Sequence, residues 1–224
     1  MKKTLFALAL MAGIAAATSV HAADNGSLPS AEELDRLTME ANRNSFHDKG
    51  IIKVDDVLAS INDPLMRACA DAKIYDQPMD PETQRKFEQE NMATIQWPED
   101  GNYLGDWEAG EKLAQSGRGG TWRDKAEDPA GGNCYNCHKI SPEELSFGTI
   151  GLSLYNYRKL RGVTDLDDPK SAEMIKYTWG KIYNAKAYNA CSNMPRFGSH
   201  GILTQDQIRD LMALLLDPDS PVNK

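Results

Sequence analysis

The sequence predicts an all-α protein, on three observations. Helix-start signals recur along the chain: Ser30 with Glu33, Asp80 before Pro81, Asp106, and Thr204 with Gln207. The last long stretch, TQDQIRDLMALLLD, places Ile208, Leu211, Met212 and Leu215 on one apolar stripe at helical spacing. No segment alternates apolar and polar residues as a half-buried strand does, and there is no internal repeat or low-complexity tract.

The elements follow in order. Residues 1–22 pair a short basic start, Lys2 and Lys3, with the apolar run LFALALMAGIAAA and the small-residue end Val20-His21-Ala22. That pattern predicts a secretory signal peptide cut before Ala23. The run is shorter than the roughly 20 residues a membrane span needs, and no later segment reaches that length. The expected product is exported, periplasmic and without a membrane span. Residues 23–104 form an N-terminal helical extension. It opens on a frayed end, continues as the capped polar helix AEELDRLTMEANR and the short VDDVLASI, and closes with PETQRKFEQENMATI, started by Asp80-Pro81. Few large apolar residues support this stretch, so it is expected to wrap the C-terminal domain or a partner subunit rather than fold alone. The turn-rich WPEDGNYLGD, 97–106, marks the boundary.

The C-terminal domain spans 105–224. Asp106 caps a helix, DWEAGEKLAQSG, that ends at the glycines 117, 119 and 120. Gly110 inside it costs about 1 kcal/mol against alanine, which close approach of another helix would explain; the last helix is the expected partner. Residues 141–203 read as loop-rich, with helical pieces around 152–160 and 169–185.

The formal net charge is −8, and loss of Lys2 and Lys3 makes the exported form more acidic still. Such a surface disfavours nucleic acid and anionic membrane, and suits a basic patch on a partner. Four cysteines are present: Cys69, Cys134, Cys137 and Cys191. If the close pair serves one purpose, Cys69 and Cys191 remain, either as a disulfide suited to an oxidising compartment or as two buried thiols.

The close pair lies in GGNCYNCHKI, residues 131–140. The spacing C-x-x-C-H is the one that attaches a c-type haem: two cysteine sulfurs, Cys134 and Cys137, form thioethers, and the adjacent His138 ligates the iron. A tetrahedral zinc site would need a second ligand pair at matching spacing, and Cys69 and Cys191 stand alone. A thioredoxin-like dithiol belongs beside a βαβ pattern, which is missing.

The other axial position has several candidates among the methionines after the leader. Met39, Met66, Met79 and Met92 precede the motif and belong to the extension. Met174 and Met212 lie in helical patterns and read as core. Met194 stands in NACSNMPRFGSHG, a constrained irregular loop, with enough chain after His138 to reach the far face of a haem. It is the expected ligand, with His200 as its rival and His47 weaker. A disulfide from Cys191 to Cys69 would tie the extension to this loop. Around LYNYRKLRG, the residues Tyr155, Tyr157, Arg158, Lys159 and Arg161 are either haem-propionate partners or a solvated helix face. Trp179 and Tyr183 are pocket or core aromatics.

These residues resemble class I cytochromes c: GDWEAGEKLAQSG is similar to their first helix, CYNCH to their haem site and MPRFG to their ligand loop. FGTIGLSLYNYRKLRG, NMPRFGSHGILTQDQI and ALLLDPDSPVN extend the likeness, over most of 105–222, to the SoxX family, the monohaem subunits of the SoxAX cytochromes of thiosulfate oxidation. The resemblance implies a class I cytochrome c-like haem domain carrying one covalent haem c. Cys134 and Cys137 would attach it, with His138 and Met194 as axial iron ligands. It also implies a heterodimer with a SoxA-type cytochrome subunit. That complex acts as an L-cysteine S-thiosulfotransferase, joining thiosulfate to a cysteine of the SoxYZ carrier. The bond-forming site lies in SoxA, and the SoxX haem passes electrons to a small cytochrome c, so no catalytic residue is expected in this chain. One departure stands out. Many cytochromes c have proline after the glycine in G-x-x-G-P, where TIGLSL has Leu152, and a backbone carbonyl there often accepts the ligand histidine's ring N–H.

Other readings remain: a free-standing periplasmic monohaem shuttle, a haem enzyme or gas sensor with an open iron, and a structural haem.

Overall fold

The structure is a computed structural model that describes residues 29–224. The predicted signal peptide lies outside the described residues. By internal contacts the chain divides into two units, residues 1–41 and 42–224. The first helix, α1 (Ala31–Ser45), has no buried residue. The Ser30 hydroxyl accepts from the Glu33 N–H at 3.2 Å, and Arg36 pairs with Glu33 and Glu40 one turn to either side at 2.8 and 3.0 Å.

The larger unit is helical, with no strand among the described residues beyond an isolated Lys49–Ile52 bridge. Its helices are α2 (Val54–Ile61), α3 (Pro64–Ile74), α4 (Pro81–Met92), α5 (Trp107–Gln115), α6 (Tyr157–Leu160), α7 (Pro169–Tyr183) and α8 (Gln205–Leu216). Three of them, α4, α5 and α8, were anticipated from their caps. Asp80 and Asp106 accept from backbone N–H groups one turn ahead, and Thr204 and Gln207 form both halves of a capping box. The helix α3 was not anticipated, although Asp63-Pro64 starts it just as Asp80-Pro81 starts α4. The Asp63 carboxylate accepts from Leu65 and Met66 N–H at 2.9 and 3.3 Å.

The core sits where α5, α7 and α8 meet. Ile208, Met212 and Leu216 of α8 are fully buried, each worth about 1.5–3 kcal/mol in apolar burial. Gly110 explains itself here: a Cβ on it would run into the Asp210 backbone carbonyl of α8, so the α5–α8 approach requires glycine. The 97–106 stretch is packed rather than slack. The Gly105 N–H donates to the Arg209 carbonyl at 3.0 Å, and the Asp106 N–H to the Asp210 carboxylate at 2.9 Å. Trp179, fully buried on α7, donates its indole N–H to the Gln96 carbonyl at 2.9 Å, and Tyr103 meets its ring edge-on. Trp179 and Tyr183 are therefore core aromatics, and Met174 and Met212 also pack in the core.

Candidate functional site

A cavity of about 660 Å³ opens between α5, α7, α8 and the loops at 132–140, 150–154 and 189–197. That is within the roughly 300–1,000 Å³ of cofactor sites. Cys134, Cys137, His138 and Met194 all line it, with apolar walls from Ile140, Leu154, Ile182, Phe197 and Leu211.

The histidine side is built from neighbouring chain. Backbone hydrogen bonds join the arm before the motif to the end of α5: Gly132 N–H to Leu113 at 2.9 Å and Asn133 N–H to Ser116 at 3.0 Å. Asn133 takes a left-handed conformation (φ 50°) that turns the chain into the motif. The Cys134 carbonyl accepts from both Cys137 and His138 N–H, a tight turn that presents all three side chains to one cavity. The following segment then zips onto the motif: Gly148 N–H to Tyr135 at 2.8 Å, Gly151 N–H to Cys137 at 2.8 Å and Leu154 N–H to Lys139 at 2.7 Å. This seats the Leu152 carbonyl 2.6 Å from His138 Nδ1. With Nδ1 donating there, the tautomer is set and Nε2 is left with its lone pair free. Leu152, standing where proline was expected, thus still offers a backbone carbonyl to the ring N–H. Gly151 lies so close to the imidazole that any Cβ would collide with it.

Burial pushes the Cys134 thiol up to about 12. Reactive dithiols have a thiol lowered below its ordinary value, and Cys134 is shifted the other way. Tyr135, between the cysteines, is buried and donates its hydroxyl to Glu111 of α5 at 2.8 Å.

The methionine side is built from distant chain. Cys191 and Cys69 of α3 are joined by a disulfide, Cα–Cα 5.4 Å, so neither is placed to complete a zinc tetrad with Cys134 and Cys137. Arg196 pairs with Asp63 at 3.1 Å, both side chains largely shielded. Glu88 of α4 accepts from the Ala190 N–H at 3.2 Å. Of the methionines in the described residues, Met194 alone lines the cavity, and His200 does not line it. Burial, Arg196 and Lys186 push the His200 imidazole below its usual value, against the opposing pull of Asp63.

Arg161 and Lys181 line the cavity beside Tyr177 and Thr178. Buried Tyr157 lines it too and shares a hydrogen bond with Thr178 at 3.0 Å, whereas Arg158 is engaged with the carbonyls of Val163 and Thr164 and Tyr155 with that of the C-terminal Lys224. The donor set fits a c-type haem: two thiols and an oriented imidazole in one turn, a thioether on the same apolar cavity, and cations on its wall for acidic groups. Sequence reasoning missed Gly151, Glu111, Lys186 and Asn184. Only Gly151, next to the Leu152 departure, carried a local hint.

No protein-family model matches the chain. An uncharacterized lipoprotein of Aquifex aeolicus (strain VF5) is 40% identical over 148 residues, which is 62% of this chain and 63% of that protein. The chain thus spans just under two thirds of the relative's length. Among the described residues, no helix is long and apolar enough to cross a membrane.

Proposed function

We propose that this chain is an exported monohaem c-type cytochrome that relays electrons, as the SoxX-type subunit of a thiosulfate-oxidising SoxAX complex. One observation carries the reading: Cys134, Cys137, His138 and Met194, spread over 60 residues of sequence, line a single apolar cavity. Bound there, haem c supplies one-electron chemistry. Cys134 and Cys137 would hold it through their sulfurs, and His138 Nε2 and the Met194 sulfur would ligate its iron. The Leu152 carbonyl holds the His138 proton on Nδ1. The apolar walls exclude water, and a methionine ligand favours a high potential suited to electron transfer. With His138 and Met194 both committed to the iron, this chain would offer no iron position to a substrate. The bond between thiosulfate and a SoxYZ cysteine would then form on a SoxA-type partner, this chain passing electrons to a small cytochrome c. The signal-peptide pattern supports export to the periplasm, as does the word lipoprotein in the relative's name.

The runner-up is a free-standing periplasmic shuttle. It is favoured by the way α3 and α4 are used within the chain itself, against residues 184–196, so that no partner is needed to explain the extension. Co-purification through a tag on the native chain, with haem staining and mass spectrometry, separates the two. A second cytochrome at equal stoichiometry is the expected result, and a haem-positive monomer favours the shuttle. A chain exported without covalent haem ends both.

A further inference from the structure

We propose that Lys186, buried beneath the 190–196 loop, is the positioning residue that holds Met194 toward the cavity. The proposal rests on the haem reading above. Lys186 is 5% exposed, and its ammonium donates to the carbonyls of Ala190 at 3.2 Å and Ser192 at 3.0 Å. A buried ammonium needs such acceptors, and buried carbonyls need such a donor. Both carbonyls belong to the short run that leads into Met194, and the Ser192 hydroxyl accepts from the Met194 N–H at 3.2 Å.

Lys186 is itself held by the extension. The Asn184 side chain accepts from the Lys186 N–H at 3.1 Å and donates to Asn91 and Thr94, at the end of α4, at 2.9 Å each. A chain of hydrogen bonds therefore runs from α4 through Asn184 and Lys186 to the carbonyls before Met194. The Cys69–Cys191 disulfide and the Asp63–Arg196 pair reach the same loop separately. Those two attach it to α3; Lys186 grips it from within the domain.

The test compares Lys186→Met and Lys186→Gln with the parent and with Lys176→Met, an exposed lysine on α7. The readouts are the methionine–iron charge-transfer absorption, the midpoint potential, and carbon monoxide binding to the reduced protein, with circular dichroism as a check on folding. Lys186→Met removes both hydrogen bonds and is expected to weaken the band, lower the potential and speed carbon monoxide binding by at least about tenfold, the factor that loss of even one charge-assisted hydrogen bond implies. Lys186→Gln keeps one donor without the charge and is expected to fall between it and the parent, while Lys176→Met stays parental. Parental band, potential and gas binding in Lys186→Met overturn the proposal, even if the variant is less stable. If Lys186→Met fails to fold, a parental Lys186→Gln overturns it equally. A parent with covalent haem but no methionine band sinks Met194 ligation and this proposal with it. A parent without haem sinks the wider reading.

Discussion

The two sides of the cavity are held in different ways. On the histidine side every support comes from nearby sequence. Gly148, Gly151 and Leu154 bond back to Tyr135, Cys137 and Lys139, and the Leu152 carbonyl orients the ring from 14 residues away. On the methionine side the local grip of Lys186 is joined by supports from far along the chain: Cys69 from 122 residues away, Asp63 from 133 and Glu88 from 102. A ligand held by its own neighbourhood survives loss of distant contacts; one held by a borrowed scaffold does not. The histidine should therefore be the fixed ligand of the pair and the methionine the one that fails first.

The largest expected effect attacks the rigid side. Gly151→Val drives a side chain into the imidazole and should cut recovery of haem-loaded protein about 10–100-fold, the usual range for disturbing the support of a metal ligand. Normal loading, scored by the haem absorbance of purified protein, would break the idea that His138 has no room to move.

Cys69→Ser comes next. Releasing the Cys69–Cys191 bridge should lower stability by about 2–4 kcal/mol and weaken the methionine–iron band while haem loading stays normal. An unchanged visible spectrum would sink the disulfide's role on the ligand loop.

A smaller effect follows from Asp63. Its burial acts to raise its carboxyl, but hydrogen bonds from Arg196 and from the backbone of Met66 and Leu65, with the Arg196 charge, outweigh that and hold it below the usual carboxylate value. Since the folded value lies below the unfolded one, the pair's contribution is complete above the unfolded value of about 3.9 and disappears as pH falls through the folded value. The methionine band should fade on acidification in that window before the histidine side yields. Asp63→Asn should remove that acid step and cost about 1 kcal/mol, allowing for partial solvent screening. A band that tracks pH identically in both proteins would count against the ion pair. The smallest effect belongs to Leu152→Ala. The side chain is exposed and only the carbonyl serves His138, so thermal stability should stay within about 0.5 kcal/mol with an unaltered spectrum.

The same division runs through what could be read in advance. The caps, the apolar stripe of α8 and the C-x-x-C-H spacing are short-range patterns, legible because helix starts and haem attachment depend on residues within a few positions of each other. The meaning of Gly110 was also legible, since an interior helical glycine calls for a close neighbour. The helix α3 escaped only because Asp63-Pro64 was overlooked beside its twin at Asp80-Pro81. Lys186 and Asn184 could not have been found this way. Nothing near either residue distinguishes a buried clamp from a surface lysine and a turn asparagine.

The sequence by itself determined that the chain is helical, where most helices begin, and that Cys134, Cys137 and His138 lie together, because those outcomes follow from local spacing and local hydrogen bonding. Tertiary structure decided the rest. It brought Met194 to the same cavity as a histidine 56 positions earlier in the chain, placed α3 and α4 against the 190–196 loop, and buried an ammonium where two carbonyls needed it. Those outcomes depend on which distant surfaces pack together, and packing is a property of the whole folded chain.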